Sequence, residues 1–400
     1  MTNVKESELL ESTVASPADE AATTRPEKRG ESRKAPRVDT EYSRGLGDWL
    51  ISNRVCIVSS TYLTGYLLFL GVRADGVVVP SAASFSMAMG LAASSQRIYL
   101  GTKNEIWRLE NILGPKELAN GAFDRFYVPR TAGLTGDINI HELGIDARGN
   151  VLFVNTRYSC LSAVSVSHAF KPLWKPKFIS RLAPEDRCHL NGLAMENGRP
   201  RYMTACSTGD VLESWRGGRR DGGVLMDLAN DAIICEGLSM PHSPRVWGGS
   251  LYLLESGRGY LVKVDRQTGK REDVTFCPGF ARGLAFVSDY AVVTVSLPRR
   301  GTFEDLPIEQ ALRGNGTGPR CGLLIIDLHN GDVVQWFRLR GDINELFDVG
   351  IIENARCPRA IGPYAPALEE AMRGEGMARQ RQSPNTGPGS SKESYQHAAE

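Results

Sequence analysis

The chain has no run of eighteen apolar residues, so the sequence supplies no segment able to cross a bilayer as a helix. It has almost no excess of either charge, with 47 Lys plus Arg against 46 Asp plus Glu. That balance excludes the basic footprint of a nucleic-acid protein. No C-x-x-C pair occurs, and eight cysteines in 400 residues lack the density and spacing of a disulfide scaffold. The amino-terminal stretch has neither an apolar h-region nor a small-residue cleavage site, so it does not read as a secretory signal. These absences lead to the expectation of a cytoplasmic protein with reduced thiols, and with neither a membrane nor a nucleic acid as partner. Amphipathic helical patterns are also nearly missing.

Glycine and short apolar runs are plentiful instead. The 42 glycines suggest a turn-rich β architecture. Residues 1–45 and 364–400 are polar and carry too little apolar surface to offset the entropy of ordering, so both are expected to be disordered tails. A short helix is expected near Leu368–Met372. Between the tails, residues 46–363 show a period of two. Val55–Ser59, Tyr66–Val72, Arg97–Gly101, Val151–Asn155, Leu251–Leu254, Tyr260–Val264, Ala291–Val295 and Leu323–Ile326 read as strands bounded by turn residues. The expected class is all-β, with more strands than one sandwich holds.

A phrase repeats along this core: a loop, Gly-Leu-Ala or a relative, a turn, an apolar strand ending in a small polar residue, then another strand. Gly90, Gly144, Gly192, Arg245, Gly283 and Asp348 mark the equivalent positions. The sixth unit stops after GII (350–352), whereas the core opens with VCIVSS, YLLFLGV and GVVVPS and no strand before them. Joining the two ends completes a sixth four-stranded sheet, as in a toroidal β-propeller that closes without a free edge. Six blades is the reading. Seven is the alternative, because the last interval is long.

The first strand of each propeller blade lines the channel, so residues at one repeat position converge on one axis. Three residues before the repeat marker stand Met87, His141, His189, His242, Phe280 and Glu345. Three of the six histidines therefore occupy one ring position in consecutive blades. Imidazoles with one carboxylate suit a divalent transition metal such as Fe, Zn, Mn or Cu. His141, His189 and His242 are the candidate ligands, with Glu345 as a fourth. A metal-free polar pocket is the competing reading of the same ring. Asn191 and Arg282 each precede a marker glycine and are candidates for orienting substrate. Glu142 beside the first histidine and Glu255 at a second-strand end complete the catalytic candidates, with Asp137, Asp186, Arg187, Asn155, Thr156 and Ser256 nearby. The insertion at 297–320, with a short helix near Leu306–Leu312, is a candidate lid. Trp107, Trp174, Trp215, Trp247 and Trp336 are expected to pack between blades.

The segments FISRLAPEDRCHLNGLA (178–194), GLSMPHSPR (237–245), PGFARGLAF (278–286) and GDINIHELGID (136–146) resemble a family of conserved hypothetical bacterial proteins, a domain of unknown function. The resemblance runs from about 45 to 362 and implies the limits of the core but no reaction. Similarity to six-bladed lactonases and strictosidine-synthase-like propellers is one of fold alone, and their Glu/Asn/Asp calcium set differs from these histidines. Carotenoid-cleaving oxygenases, which hold iron with histidine rings, offer a nearer chemical analogy, though fold does not carry function. Two functions are expected from the residues. The first is a metal-dependent enzyme, hydrolase, lyase or oxygenase, acting on a small molecule or peptide in the channel mouth. The second is a non-catalytic propeller that binds a ligand or a protein partner.

Overall fold

The computed structural model describes residues 36–303 and 305–371; of the expected tails, 1–45 and 364–400, the parts 1–35 and 372–400 lie outside the described residues. Short strands separated by tight turns pair with their chain neighbours, because a brief turn brings an antiparallel partner into place at small loop entropy. Six sheets result, and they form a six-bladed β-propeller. Blade one is Leu91–Ala93, Arg97–Gly101, Glu105–Asn111 and Arg125–Leu134. Blade two is Ile140–Ile145, Val151–Asn155, Cys160–Ala163 and Lys171–Trp174. Blade three is Leu190–Glu196, Arg199–Ala205, Gly223–Asp227 and Ala232–Leu238. Blade four is Pro241–Trp247, Ser250–Glu255, Tyr260–Val264 and Arg271–Phe276. Blade five is Phe280–Val287, Tyr290–Ser296, Cys321–Asp327 and Val333–Gly341.

Blade six joins the two ends of the fold. Its inner strand, Val349–Glu353, pairs antiparallel with Val55–Ser60, placing Ile351 opposite Ile57. Tyr66–Val72 and Val78–Ser84 continue that sheet outward. The expected closure by amino-terminal strands is therefore present, and the count is six rather than seven. The first strands of successive blades pack against one another all the way round, from blade one through blade six and back.

Each pair of neighbouring blades shares an apolar cluster of its own. Leu152, Leu161, Leu193 and Met203 fill the seam between blades two and three, and Tyr252, Leu254, Leu284 and Val293 that between four and five. Both faces of a strand within a blade are covered by the neighbouring blades, which is why VCIVSS, the second strand of blade six, is buried along its whole length and reads as a continuous run. The marker glycines serve the close approach near the axis. A Cβ on Gly90 would stand 2.5 Å from the His141 carbonyl oxygen, and one on Gly283 would stand 2.7 Å from the Val349 nitrogen. A side chain there would push adjacent blades apart.

The ordered fold starts earlier than the expected boundary at 46. Val38–Tyr42 adds a fifth strand outside blade five, with Asp39 opposite Arg340. Its side chains are largely exposed, so backbone pairing rather than apolar burial holds it, and composition carries little sign of it. A helix, Leu46–Asn53, follows and buries Leu46, Trp49 and Leu50 at i, i+3 and i+4 against blades five and six. Pro358–Ala360 adds a parallel fifth strand to blade one, and Ala367–Ala371 is a short helix overlapping the expected one. Among the described residues, no helix is long and apolar enough to cross a membrane. All eight cysteines are free and buried.

Candidate functional site

The three ring-position histidines stand together at one end of the channel. His141 and His189 lie with ring centres 4.9 Å apart, edge to face, and His141 and His242 lie 6.2 Å apart. All three are buried. Two of them are held by the same device in different blades. Asn139 and Met240, each two residues upstream, have left-handed backbones with φ of 54° and 47°. That turn carries the Asn139 carbonyl to 3.2 Å from His141 Nδ1 and the Met240 carbonyl to 3.0 Å from His242 Nδ1.

A hydroxyl from the end of the second strand completes each clamp. Thr156 Oγ1 lies 2.7 Å from His141 Nδ1 and donates its own proton to the Leu190 carbonyl at 2.6 Å. Ser256 Oγ lies 3.0 Å from His242 Nδ1 and donates to the Ala281 carbonyl. In blade three a carboxylate takes this place, with Asp186 Oδ2 2.8 Å from His189 Nδ1. Trp215 stacks on the His189 ring with centres 4.1 Å apart.

These partners decide where the protons sit. A carbonyl or carboxylate oxygen can only accept, so each Nδ1 carries a proton, and in a neutral ring the lone pair is then left on Nε2. The Nε2 atoms of His141 and His242 are buried with no hydrogen-bond partner. Burial holds both imidazoles well below their usual pKa, and the nearby Arg282 pushes in the same direction. They are neutral bases at pH 7. A cavity of about 10 Å3, room for one water-sized body, is lined by His141, His242, Asn191, Arg282 and Phe347.

Other expected site residues have different surroundings. Glu142 lines the cavity, but its oxygens accept from Leu193 N at 2.5 Å, from the Ser243 hydroxyl and from Arg245 Nη1 at 3.0 Å. Arg245 also reaches the carbonyls of Leu193 and Leu284 and lies 3.9 Å from Asp348. Glu142 thus belongs to a brace across the channel. Glu255 is fully buried, and its oxygens are bonded to Ser239 N, Arg258 and Arg271. Both oxygens of Glu345 are taken by arginines, Arg282 at 3.1 Å and Arg299 at 2.7 and 3.2 Å, so here it stands as an ion-pair partner. Asn191 accepts from Thr204 Oγ1 at 2.7 Å and faces Cys206 Sγ at 3.3 Å. Among the described residues, no group of three His, Cys, Asp or Glu side chains is arranged to hold a metal ion as it stands.

Residues 44–361 match the family described as Domain of unknown function (DUF4915). The chain belongs to this family. No protein of curated function matches it. A chain in the crystal structure of a nidogen/laminin complex is 10% identical, with a TM-score of 0.48, over 76% of this chain and 99% of that one. A protein of unknown function from Bacteroides caccae is likewise 10% identical, with a TM-score of 0.36, over 75% and 99%. At these values neither likeness speaks to what this DUF4915 domain does.

Several residues around the site carry little or no signal in the sequence. Arg245 occupies a marker position otherwise held mainly by glycine, and that exception was a readable signal. Arg299, Tyr62 and Phe347 carried none. They reach Arg282 from three separate segments: Tyr62 and Phe347 stack with centres 5.1 Å apart, and Arg299 lies over Tyr62. Trp215 is not an interblade residue in the expected sense. It joins Phe303, Leu306, Ile308 and Leu312 in a cluster that seats the insertion helix, Ile308–Gly314, beside His189.

Proposed function

We propose that this propeller is a metal-dependent enzyme acting on a small molecule or peptide at the channel mouth, with His141, His189 and His242 as the ligand set. One observation carries the reading. All three Nδ1 atoms are engaged by acceptors, and the Nε2 lone pairs of His141 and His242 have no proton donor. A buried acceptor without a partner is costly, and a cation supplies what is missing. Oriented by carbonyl, hydroxyl and carboxylate partners, neutral imidazoles of this kind are the donors Zn, Fe, Mn and Cu take.

The ring spacings agree with this. Two imidazoles on one ion, at about 2.1 Å per bond, have ring centres about 5–6 Å apart. The observed separations from His141 are 4.9 Å to His189 and 6.2 Å to His242. A bound divalent cation supplies Lewis acidity toward a substrate oxygen or a water. The chain's own part is to fix the imidazoles, to keep them neutral, and to place Arg282 and Asn191 beside them.

A second reading, a metal-free propeller that binds a ligand, is favoured by the lack of a ready-made ligand group among the described residues. Metal analysis of the purified full chain after incubation with Zn, Fe, Mn or Cu and desalting separates the two. The metal reading expects about one ion per chain, and none in the His141→Ala/His242→Ala variant. Substoichiometric metal, the same in both proteins, overturns it.

A further inference from the structure

Beside the imidazoles stands a second group of unlike character. Arg282 is buried, with 8% of its surface exposed, and its Nε has no hydrogen-bond partner. Its one recorded side-chain bond is to Glu345 Oε1, at 3.1 Å. Aromatic rings wall it in: Phe347 at 4.4 Å, Phe280 at 5.7 Å and Tyr62 at 5.9 Å from the guanidinium carbon. Toward solvent, Arg299 grips the same carboxylate with two nitrogens while its side chain remains 53% exposed.

We propose that this mouth recognises a small monocarboxylate with a flat apolar body, the carboxylate exchanging with Glu345 on the Arg282–Arg299 pair and the body lying along the half-buried Tyr62. The proposal names the substrate class for the site proposed above and rests on the reading of that mouth as the place where substrate binds. Three features support it. A guanidinium fork matches a carboxylate in shape, and Arg299 already displays that match on Glu345. A monocarboxylate replaces Glu345 on the two guanidinium groups charge for charge, which a dianion does not. Arg282 lines the same cavity as His141 and His242, and its buried Nε is unpaired, so an acceptor beside it answers a donor that the protein leaves unsatisfied.

Glu345 therefore acts as an internal stand-in for the ligand. It keeps two buried or half-buried cations paired while the mouth is empty, and it must be displaced when substrate enters. Removing its charge should strengthen binding, whereas a purely structural ion pair would show no such gain.

The test is calorimetric titration of the full chain with benzoate, benzamide and phenyl phosphate, with and without prior metal removal by chelator. Benzoate is expected to bind at least about tenfold more tightly than benzamide or phenyl phosphate. Arg299→Gln and Arg282→Lys should each weaken benzoate by about tenfold or more, and Glu345→Gln should tighten it severalfold. Circular dichroism and thermal melting establish that each variant is folded; Arg299→Gln, at an exposed side chain, keeps the test open if Arg282→Lys does not fold. Equal binding of benzoate and benzamide, or benzoate binding indifferent to both Arg299→Gln and Glu345→Gln, overturns the proposal. Benzoate binding with this variant pattern in a protein that takes up no metal leaves the carboxylate site standing and removes the metal. Stoichiometric metal without benzoate binding does the reverse.

Discussion

Thr156 joins two blades and one imidazole through a single hydroxyl: it stands 2.7 Å from His141 Nδ1 and donates to the Leu190 carbonyl at 2.6 Å. Ser256 repeats the relation with His242 and Ala281. The imidazole tautomer and the seam between blades therefore depend on the same atom. Thr156→Val keeps the shape and removes the hydroxyl. It should cost about 1–3 kcal/mol of stability, read from urea unfolding, because the Leu190 carbonyl loses its side-chain donor in a buried place. If the histidines hold a metal, its affinity should fall by about 10–100-fold in the same variant, read by competition with a chelator.

The brace around Arg245 makes a prediction about pH. Asp348 is buried, and burial, followed by the Glu142 charge, raises its pKa from 3.8 to about 7. A carboxyl with a raised folded-state pKa binds its proton more tightly in the folded chain than in the unfolded one. Its contribution to stability is complete below about pH 4 and is lost as pH rises through about 7. Asp348→Asn cannot ionise and keeps an acceptor for Leu91 N, which Asp348 Oδ2 now binds at 2.8 Å. Between pH 5 and 8 the melting temperature of the native chain should fall relative to that of Asp348→Asn. Parallel curves for the two proteins would refute this.

Close approach at the axis can be tested at a glycine. A Cβ on Gly283 would meet Val349 N at 2.7 Å and Asp348 backbone atoms at 2.8 Å, and neither is the movable end of a side chain. Gly283→Ala should destabilise the fold by about 1–3 kcal/mol by denaturant titration. Gly217→Ala, with open space around the added carbon, serves as the comparison and should change little.

The insertion at 297–320 is seated by Trp215, which contacts both His189 and the cluster of Phe303, Leu306, Ile308 and Leu312. Trp215→Ala removes a large buried ring, a change worth about 3–5 kcal/mol where it is felt. The loss should fall first on the insertion. Limited proteolysis within 297–320 should speed up by about two orders of magnitude, while cleavage inside the blade strands changes less. An unchanged cleavage rate in the insertion would show that Trp215 does not hold it.

Much of this protein is legible in its sequence. The repeat markers Gly90 and Gly283 sit where neighbouring backbones crowd the axis, and Gly144 and Gly192 sit where side chains of the next blade, Met195 and Pro244, do. A steric requirement repeated blade after blade leaves a periodic trace in the sequence. Closure was legible for a related reason: a strand set missing at one end and present at the other has one economical solution, the pairing of Val349–Glu353 with Val55–Ser60. The meeting of His141, His189 and His242 followed from their common repeat position, since equivalent positions on inner strands face one channel.

Other features had no such trace. Val38–Tyr42 is held by backbone bonds, which any polar sequence can make, so its composition looks like that of a tail. Glu142 and Glu345 stand beside the imidazoles in the repeat pattern, yet the structure gives their oxygens to Arg245, Arg282 and Arg299. Chain position by itself determined which residues approach the axis, because repeat geometry sets the direction of each Cα–Cβ bond. Which carboxylate pairs with which guanidinium, and which ring nitrogen stays unpaired, was decided only by the tertiary structure. Those choices turn on side chains from distant blades that meet within hydrogen-bonding range, and nothing local in the chain encodes that encounter.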